Sequence, residues 1–231
     1  MQRLSEGRAV ALSGFVFVVL DVVALFLPGP PPKAHDRASY IAHTLVMHRT
    51  EMLVAMYIAG LAVIALLVFL AAIWAWLTRE GCDDALAITA IGGALVGIGA
   101  QLVGMLFFYG ATYKIAGQHQ YALARGLTDA GNAAVEMSKF GFATLIAGTC
   151  LAARRLLPPR MFATGLLPAA AAVVSAIPLF SEGRFTQFGG GLDIVGIVPA
   201  IMWIAALSLL LSARTTRQRP TLKQQLAVGV T

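Results

Sequence analysis

Ionisable side chains inside long apolar segments are the residues of this sequence that could do chemistry. Asp21, Glu136 and Lys139 each interrupt a run of apolar residues. A charged group in hydrocarbon is costly, so it needs a partner, a polar cavity or a function. A buried carboxyl group can act as a general acid or base, and a nearby ammonium can stabilise developing negative charge. These three residues are therefore the predicted catalytic residues.

Further polar residues lie near the same level and form the predicted binding set. Asn132, Glu136 and Lys139 follow one another at i, i+4 and i+7, so they share one helix face. The remaining members are a mid-segment amide, an aromatic side chain and groups at segment ends: Gln101, Tyr109, His48, Glu51 and Asp193. We predict that Asp21 and Lys139 line one cavity in the external half of the protein.

The same residues also admit a purely structural interpretation. Glu136 and Lys139 can form an ion pair that fixes helix register, with Asp21 closing the network. Glu51 and Asp193 can simply be interfacial. Histidines are too poorly spaced to predict a metal site, since His43 and His48 are five residues apart and do not share one helix face. No motif predicts a cofactor.

The elements that would position these residues are membrane-spanning helices. The chain has 58% hydrophobic and 12% charged residues and a mean hydropathy of +0.79, which excludes an ordinary soluble or nucleic-acid-binding domain. A helix needs about 20 apolar residues to cross about 30 Å of hydrocarbon. We predict an all-α protein, a single domain of six spans: Val10–Leu27, Met52–Leu77, Ala85–Tyr109, Asn132–Ala152, Met161–Phe180 and Leu192–Leu211.

The distribution of Lys and Arg predicts the orientation of these spans. Basic residues favour the cytoplasmic side, and the cluster Arg154, Arg155 and Arg160 falls in one short loop. The prediction is a protein of the cell membrane with both termini in the cytoplasm, and with a tail at 212–231 that meets anionic lipid. Cys82 and Cys150 would then lie towards the reducing side, so no disulfide is predicted.

Smaller elements are predicted on the external side. Asp36 would cap a helix through Ala38–Met47 that runs into the second span. The combined helix is too long for one bilayer crossing, so it must bend, lie in the interface or project outward. Gln120–Leu127 would form a short interfacial helix. Within the third span, Gly93 and Gly97, followed by Gly104, predict close packing against a neighbouring helix.

Polar residues inside spans indicate a function without naming it. The chain is similar to small integral-membrane terpene cyclases in its size and in having carboxylates near one end of a helical bundle; in those enzymes an acidic residue protonates an alkene or epoxide. That likeness is one of architecture.

Three functions follow from the residues. The first is an acid/base isomerase, cyclase or hydrolase for a lipophilic small molecule. The second is a small proton- or ion-coupled transporter, and the third is an accessory membrane subunit. Membrane lipids, a lipophilic ligand, and a second copy or another membrane subunit are the expected partners. The three functions require different structures. An enzyme needs a closed pocket, and a transporter needs a path from its site to both sides of the membrane. An accessory subunit needs a polar or small-residue stripe that faces the lipid.

Overall fold

Helices make up the fold of this protein. The computed structural model describes residues 2–29, 36–176 and 191–217, and no β-strand occurs in those ranges. The helices, in chain order, are α1 (Gln2–Phe26), α2 (Ala38–Met47), α3 (Arg49–Arg79), α4 (Asp84–Gly110), α5 (Tyr121–Ala152), α6 (Pro159–Val174) and α7 (Gly191–Arg217).

Within the described residues, four helical segments are long and apolar enough to cross a membrane. They are Gly7–Phe26, Arg49–Arg79, Asp84–Gln118 and Ile194–Arg214, so the predicted all-helical fold is confirmed and these helices are consistent with a multi-pass membrane protein. The other two predicted spans correspond to α5, which carries several charged residues, and to α6, which has 16 residues. α6 ends at Val174, earlier than predicted, and 177–180 lie outside the described residues. The six-span count therefore stays a prediction.

Aromatic side chains mark two levels along the bundle. All five tyrosines lie at the end of the bundle that carries α2, hereafter the α2 end: Tyr40, Tyr57, Tyr109, Tyr113 and Tyr121. Trp74 and Trp76 lie at the opposite end of α3. Tyr57 and Trp74 are both exposed and lie about 26 Å apart along α3, given the helical rise. Tyrosine and tryptophan favour the two membrane interfaces, and the spacing fits the hydrocarbon thickness.

Six helices form a closed ring, and α2 lies outside it. Around the ring the contacts run α1, α3, α4, α5, α6, α7 and back to α1, while α2 packs on α5 and on the helical turns after α4. The half of the ring away from α2 is filled by a solid apolar core that includes Leu66, Phe69, Ile73, Ile146 and Leu207. The half near α2 encloses a cavity.

Glycine allows α4 and α5 to pack closely, as the sequence predicted for α4. A Cβ atom on Gly97 would lie 2.9 Å from the Ser138 carbonyl oxygen, and one on Gly141 would lie 2.4 Å from the Gly97 backbone nitrogen. Real Cβ atoms do not approach backbone atoms this closely. The spacing of the two helices is thus set by residues without side chains.

We expect Gly141→Ala to destabilise the protein by about 1–3 kcal/mol, because the added methyl group must push α4 and α5 apart. Thermal unfolding of the purified protein in detergent measures the effect. Gly99→Ala is the matched control, since a Cβ atom on Gly99 meets nothing within 4 Å. Equal melting temperatures for the two variants would contradict the close packing.

The α2 end differs from the prediction in two places. Gln120–Leu127 is not a separate interfacial helix, because α5 starts at Tyr121 and continues without a break to Ala152. A pair between Arg125 and Asp129, 3.5 Å apart, bridges its first turns. Asp36 does not cap α2. Arg37 is the N-cap and makes no side-chain cap bond, while the Asp36 carbonyl oxygen accepts a hydrogen bond from Arg125.

Of the three alternatives predicted for the long helix through α2 and α3, the structure shows a bend, at His48. This residue ends α2 and precedes α3, with φ −100° and ψ 23°, outside the helical conformation. α2 can therefore turn away from α3 and lie over the end of the ring. Its buried residues Ile41, Ala42 and Leu45 pack against Ala111 and Ala124.

Candidate functional site

A cavity of about 340 Å³ lies inside the α2 half of the ring. All seven helices contribute to its wall, which is mostly apolar. The larger apolar lining residues are Phe17, Met52, Met56, Met105, Phe108 and Phe142. This volume is in the range of cavities that hold small-molecule ligands.

Asp21 is the acidic residue on the described wall of the cavity. It lies on α1, five residues before the end of that helix at Phe26, and therefore about 8 Å below it. Its side chain makes no hydrogen bond or ion pair with any residue in the described ranges. A carboxyl group without a protein partner in an apolar surrounding is stable only with a proton, water or a ligand beside it.

Two amides share the wall with Asp21. Gln101 from α4 and Asn132 from α5 line the cavity, and within the described part of the chain neither side chain has a hydrogen-bond partner. Each amide offers both donors and an acceptor. The cavity therefore contains three polar groups whose hydrogen-bonding capacity is not used by the described protein.

Three hydroxyl groups on the wall are already committed as donors. Thr128 donates to the Ala124 carbonyl oxygen at 2.9 Å, Ser138 donates to Val135 at 2.7 Å, and Ser175 donates to Ala172 at 2.9 Å. A hydroxyl has only one hydrogen to donate, so each of these oxygens can act towards a ligand only as an acceptor.

Lys139 is held by two acceptors from the protein. Its Nζ donates to Glu136 Oε2 at 2.5 Å and to the Ser175 carbonyl oxygen at 2.9 Å. Ser175 is the C-cap of α6, where carbonyl groups have no intrahelical donor and a positive charge is favourable. Both side chains of the ion pair are nearly fully buried. The Glu136–Lys139 ion pair of the structural interpretation is present, and Lys139 also ties α5 to the end of α6, whereas Asp21 makes no hydrogen bond or ion pair with either member among the described residues.

The structure places four of the predicted site residues on one wall. Asp21, Gln101, Asn132 and Lys139 line the same cavity. Glu136 is buried beside Lys139 but does not line the cavity. The i, i+4, i+7 pattern located the α5 part of this wall because a helix presents every third or fourth residue to one side.

Three other predicted binding residues lie elsewhere. His48, Glu51 and Tyr109 are exposed and do not line the cavity. His48 and Glu51 lie on the exposed side of the α2–α3 junction, whereas Met52 on the same turns of α3 lines the cavity. Tyr109 stacks on Tyr113 with ring centroids 5.1 Å apart on the outer surface. The Asp193 side chain is outside the described residues.

Sequence reasoning missed several wall residues. Thr128 and Phe142 extend the α5 stripe one turn before Asn132 and one turn after Lys139, so the same periodicity could have found them. Ser175 could not be found this way, because its approach to Lys139 depends on how α6 packs. Among the described residues, no three His, Cys, Asp or Glu side chains lie close enough to hold a metal ion.

No protein-family model, curated protein sequence or solved structure matches this chain.

Proposed function

We propose that the protein is a membrane-embedded acid/base enzyme that acts on a lipophilic small molecule. The observation that carries this proposal is the Asp21 carboxyl group, which faces an apolar cavity and has no partner among the described residues. Such a group can give a proton to a bound molecule or take one from it. An apolar wall between spanning helices suits a molecule that dissolves in lipid.

The polar wall residues divide into reacting, orienting and structural groups. Asp21 is the general acid or base. Gln101 and Asn132 are free to orient a polar atom of the ligand. Lys139 holds the end of α6, and Glu136 balances its charge. Proton transfer by one carboxyl group is sufficient for isomerisation, cyclisation or hydrolysis, which are the proposed reaction classes.

The filled half of the ring favours an enzyme over a transporter. A transporter needs a route from the cavity to both ends of the bundle. Here fully buried side chains such as Leu66, Phe69 and Ile73 occupy the half away from α2. The cavity's polar residues point inward, which also argues against an accessory subunit, since that function would need them on the lipid-facing surface.

Isotopically labelled water tests the proposed chemistry. We expect the purified protein in lipid vesicles to modify one compound of a lipophilic membrane extract, which is followed by chromatography and mass spectrometry. In deuterium oxide, acid/base isomerisation or cyclisation puts deuterium on carbon; in water labelled with heavy oxygen, hydrolysis puts that oxygen into a product. An extract left unchanged by wild type in both solvents would contradict the proposal.

The proposed orientation has six spans and cytoplasmic termini in the cell membrane. It is supported by three exposed arginines at the end of the bundle away from α2, Arg154 and Arg155 between α5 and α6 and Arg160 in the first turn of α6, because basic residues favour the cytoplasmic side. In this arrangement the α3–α4 turn with Cys82 is cytoplasmic as well. The end of the tail, 218–231, lies outside the described residues.

Cys82 provides a test of this orientation. Burial, and in second place the Glu80 charge, raise the pKa of the Cys82 thiol above its ordinary value of 9.0. The thiolate is the reactive form, so labelling accelerates as the pH rises towards and past that value. We expect a membrane-impermeant maleimide to label inverted vesicles and to spare intact cells. Cys82→Ser is the control, because Cys150 is fully buried. Labelling of intact cells at the same rate would contradict the orientation.

A further inference from the structure

The charge balance of the cavity is uneven. Asp21 and Lys139 are the ionisable side chains on its described wall. The Lys139 ammonium is offset by Glu136 at 2.5 Å, and both groups are buried together. Asp21 has no such counter-charge among the described residues. An ionised Asp21 therefore leaves the cavity with one negative charge that only a cation can balance.

The apolar part of the wall also suits a cation. Phe17, Phe108 and Phe142 come from three different helices and face the same space. The face of an aromatic ring attracts a positive charge, most strongly where water is excluded. Met52, Met56 and Met105 add polarisable sulfur atoms that adapt to ligand shape. The wall can thus surround an organic cation, and the Lys139 ammonium on the same wall is paired with Glu136.

The hydrogen-bonding groups of the cavity wall also favour a cationic ligand. The hydroxyl oxygens of Thr128, Ser138 and Ser175 have already used their hydrogens and can only accept. Lys139 already donates to two protein oxygens. Gln101 and Asn132 can donate as well as accept, but Asp21 when ionised and the three hydroxyl oxygens only accept, so a ligand that brings its own N–H groups uses more of this wall than an anion does.

We propose that the ligand of this cavity is a lipophilic amine. The amine enters from the lipid as the neutral free base and meets protonated Asp21. The carboxylic O–H bond breaks, an N–H bond forms on the amine nitrogen, and an ammonium–carboxylate pair remains in the cavity. This inference rests on the proposed function, because it uses the same cavity and the same proton, and it adds the chemical class of the ligand.

Three probes that share one hydrocarbon cage and differ in their polar group separate the effect of ligand charge from the effect of ligand shape. We would measure the binding of adamantylamine, adamantanol and adamantanecarboxylate to the full chain in detergent by isothermal titration calorimetry. We expect wild type to bind the amine at least about tenfold more tightly than the alcohol, because a carboxylate and aromatic faces favour a desolvated cation. The carboxylate probe should bind most weakly.

Variants assign the preference to Asp21. Asp21→Asn should lose the amine preference and keep its affinity for the alcohol, while Asp21→Glu should retain the preference. Asp129→Asn is the matched control, because this carboxylate lies on α5 outside the cavity and pairs with Arg125. Circular dichroism and melting temperature confirm that each variant is folded.

Equal affinity of wild type for the amine and the alcohol would overturn the amine proposal, as would an amine preference that survives in Asp21→Asn. Failure of all three probes to bind would overturn it too. The labelled-water experiment is independent of these probes. Solvent isotope in a product together with no amine preference would leave the acid/base function standing and remove only the assignment of the ligand class.

Discussion

Asp21→Asn is expected to reduce turnover of the lipophilic substrate by at least about 100-fold, since general acid–base catalysis contributes about 10²–10⁴-fold. Asparagine has nearly the same size as aspartate but cannot give or take the proton. The melting temperature should stay close to that of wild type, because Asp21 makes no hydrogen bond or ion pair with the described residues that the substitution could remove. The rate of product formation in lipid vesicles and thermal unfolding in detergent are the two measurements.

Asp129→Asn should behave like wild type in both measurements. If Asp21→Asn retained the full rate, Asp21 would not be the acid/base group. If the rate fell only in proportion to a loss of folded protein, Asp21 would have a structural role instead.

Lys139→Met is expected to have the largest effect on stability. The substitution removes the ammonium that pairs with buried Glu136 and the donor to the Ser175 carbonyl oxygen at the end of α6. Removing one member of a buried ion pair costs about 3–5 kcal/mol. The free energy of unfolding in mixed detergent measures the loss. The double variant Lys139→Met/Glu136→Gln should recover part of it, because no uncompensated charge then remains.

Lys114→Met is the matched control for removal of a lysine, since Lys114 is exposed. A Lys139→Met protein that is as stable as wild type but inactive would show that Lys139 acts on the ligand and does not hold α6. Asp21→Asn is thus expected to lower the rate with little change in stability, whereas Lys139→Met is expected to lower the stability.

Local patterns were sufficient to predict the parts of the fold that depend on one segment. The helix Ala38–Met47 is present with the predicted bounds. The glycines of α4 indicated close helix packing, and the i, i+4, i+7 stripe placed Asn132 and Lys139 on one face. Each of these predictions follows from helical periodicity, which a sequence displays directly.

Contacts between distant segments could not be predicted in this way. The Ser208 hydroxyl of α7 donates to the Ala11 carbonyl oxygen at 2.6 Å and accepts from the Phe15 amide at 3.0 Å, so it bridges one turn of α1. Lys139 reaches Ser175, 36 residues away. Such pairs depend on the order in which helices pack. The exposure of His48 and Glu51 likewise could not be predicted, because no residue type in the sequence indicates the helix break at His48.

Native mass spectrometry of the gently extracted protein tests most directly whether the cavity is a ligand site. Ala59 lines the cavity on α3, and Ala71 is exposed on the same helix. Ala59→Phe fills the cavity with a ring, and Ala71→Phe adds the same ring at an exposed position. We predict that wild type and Ala71→Phe retain a lipophilic small molecule and that Ala59→Phe has lost it. A bare wild-type mass, or the same bound mass in Ala59→Phe, would contradict a ligand site at this cavity.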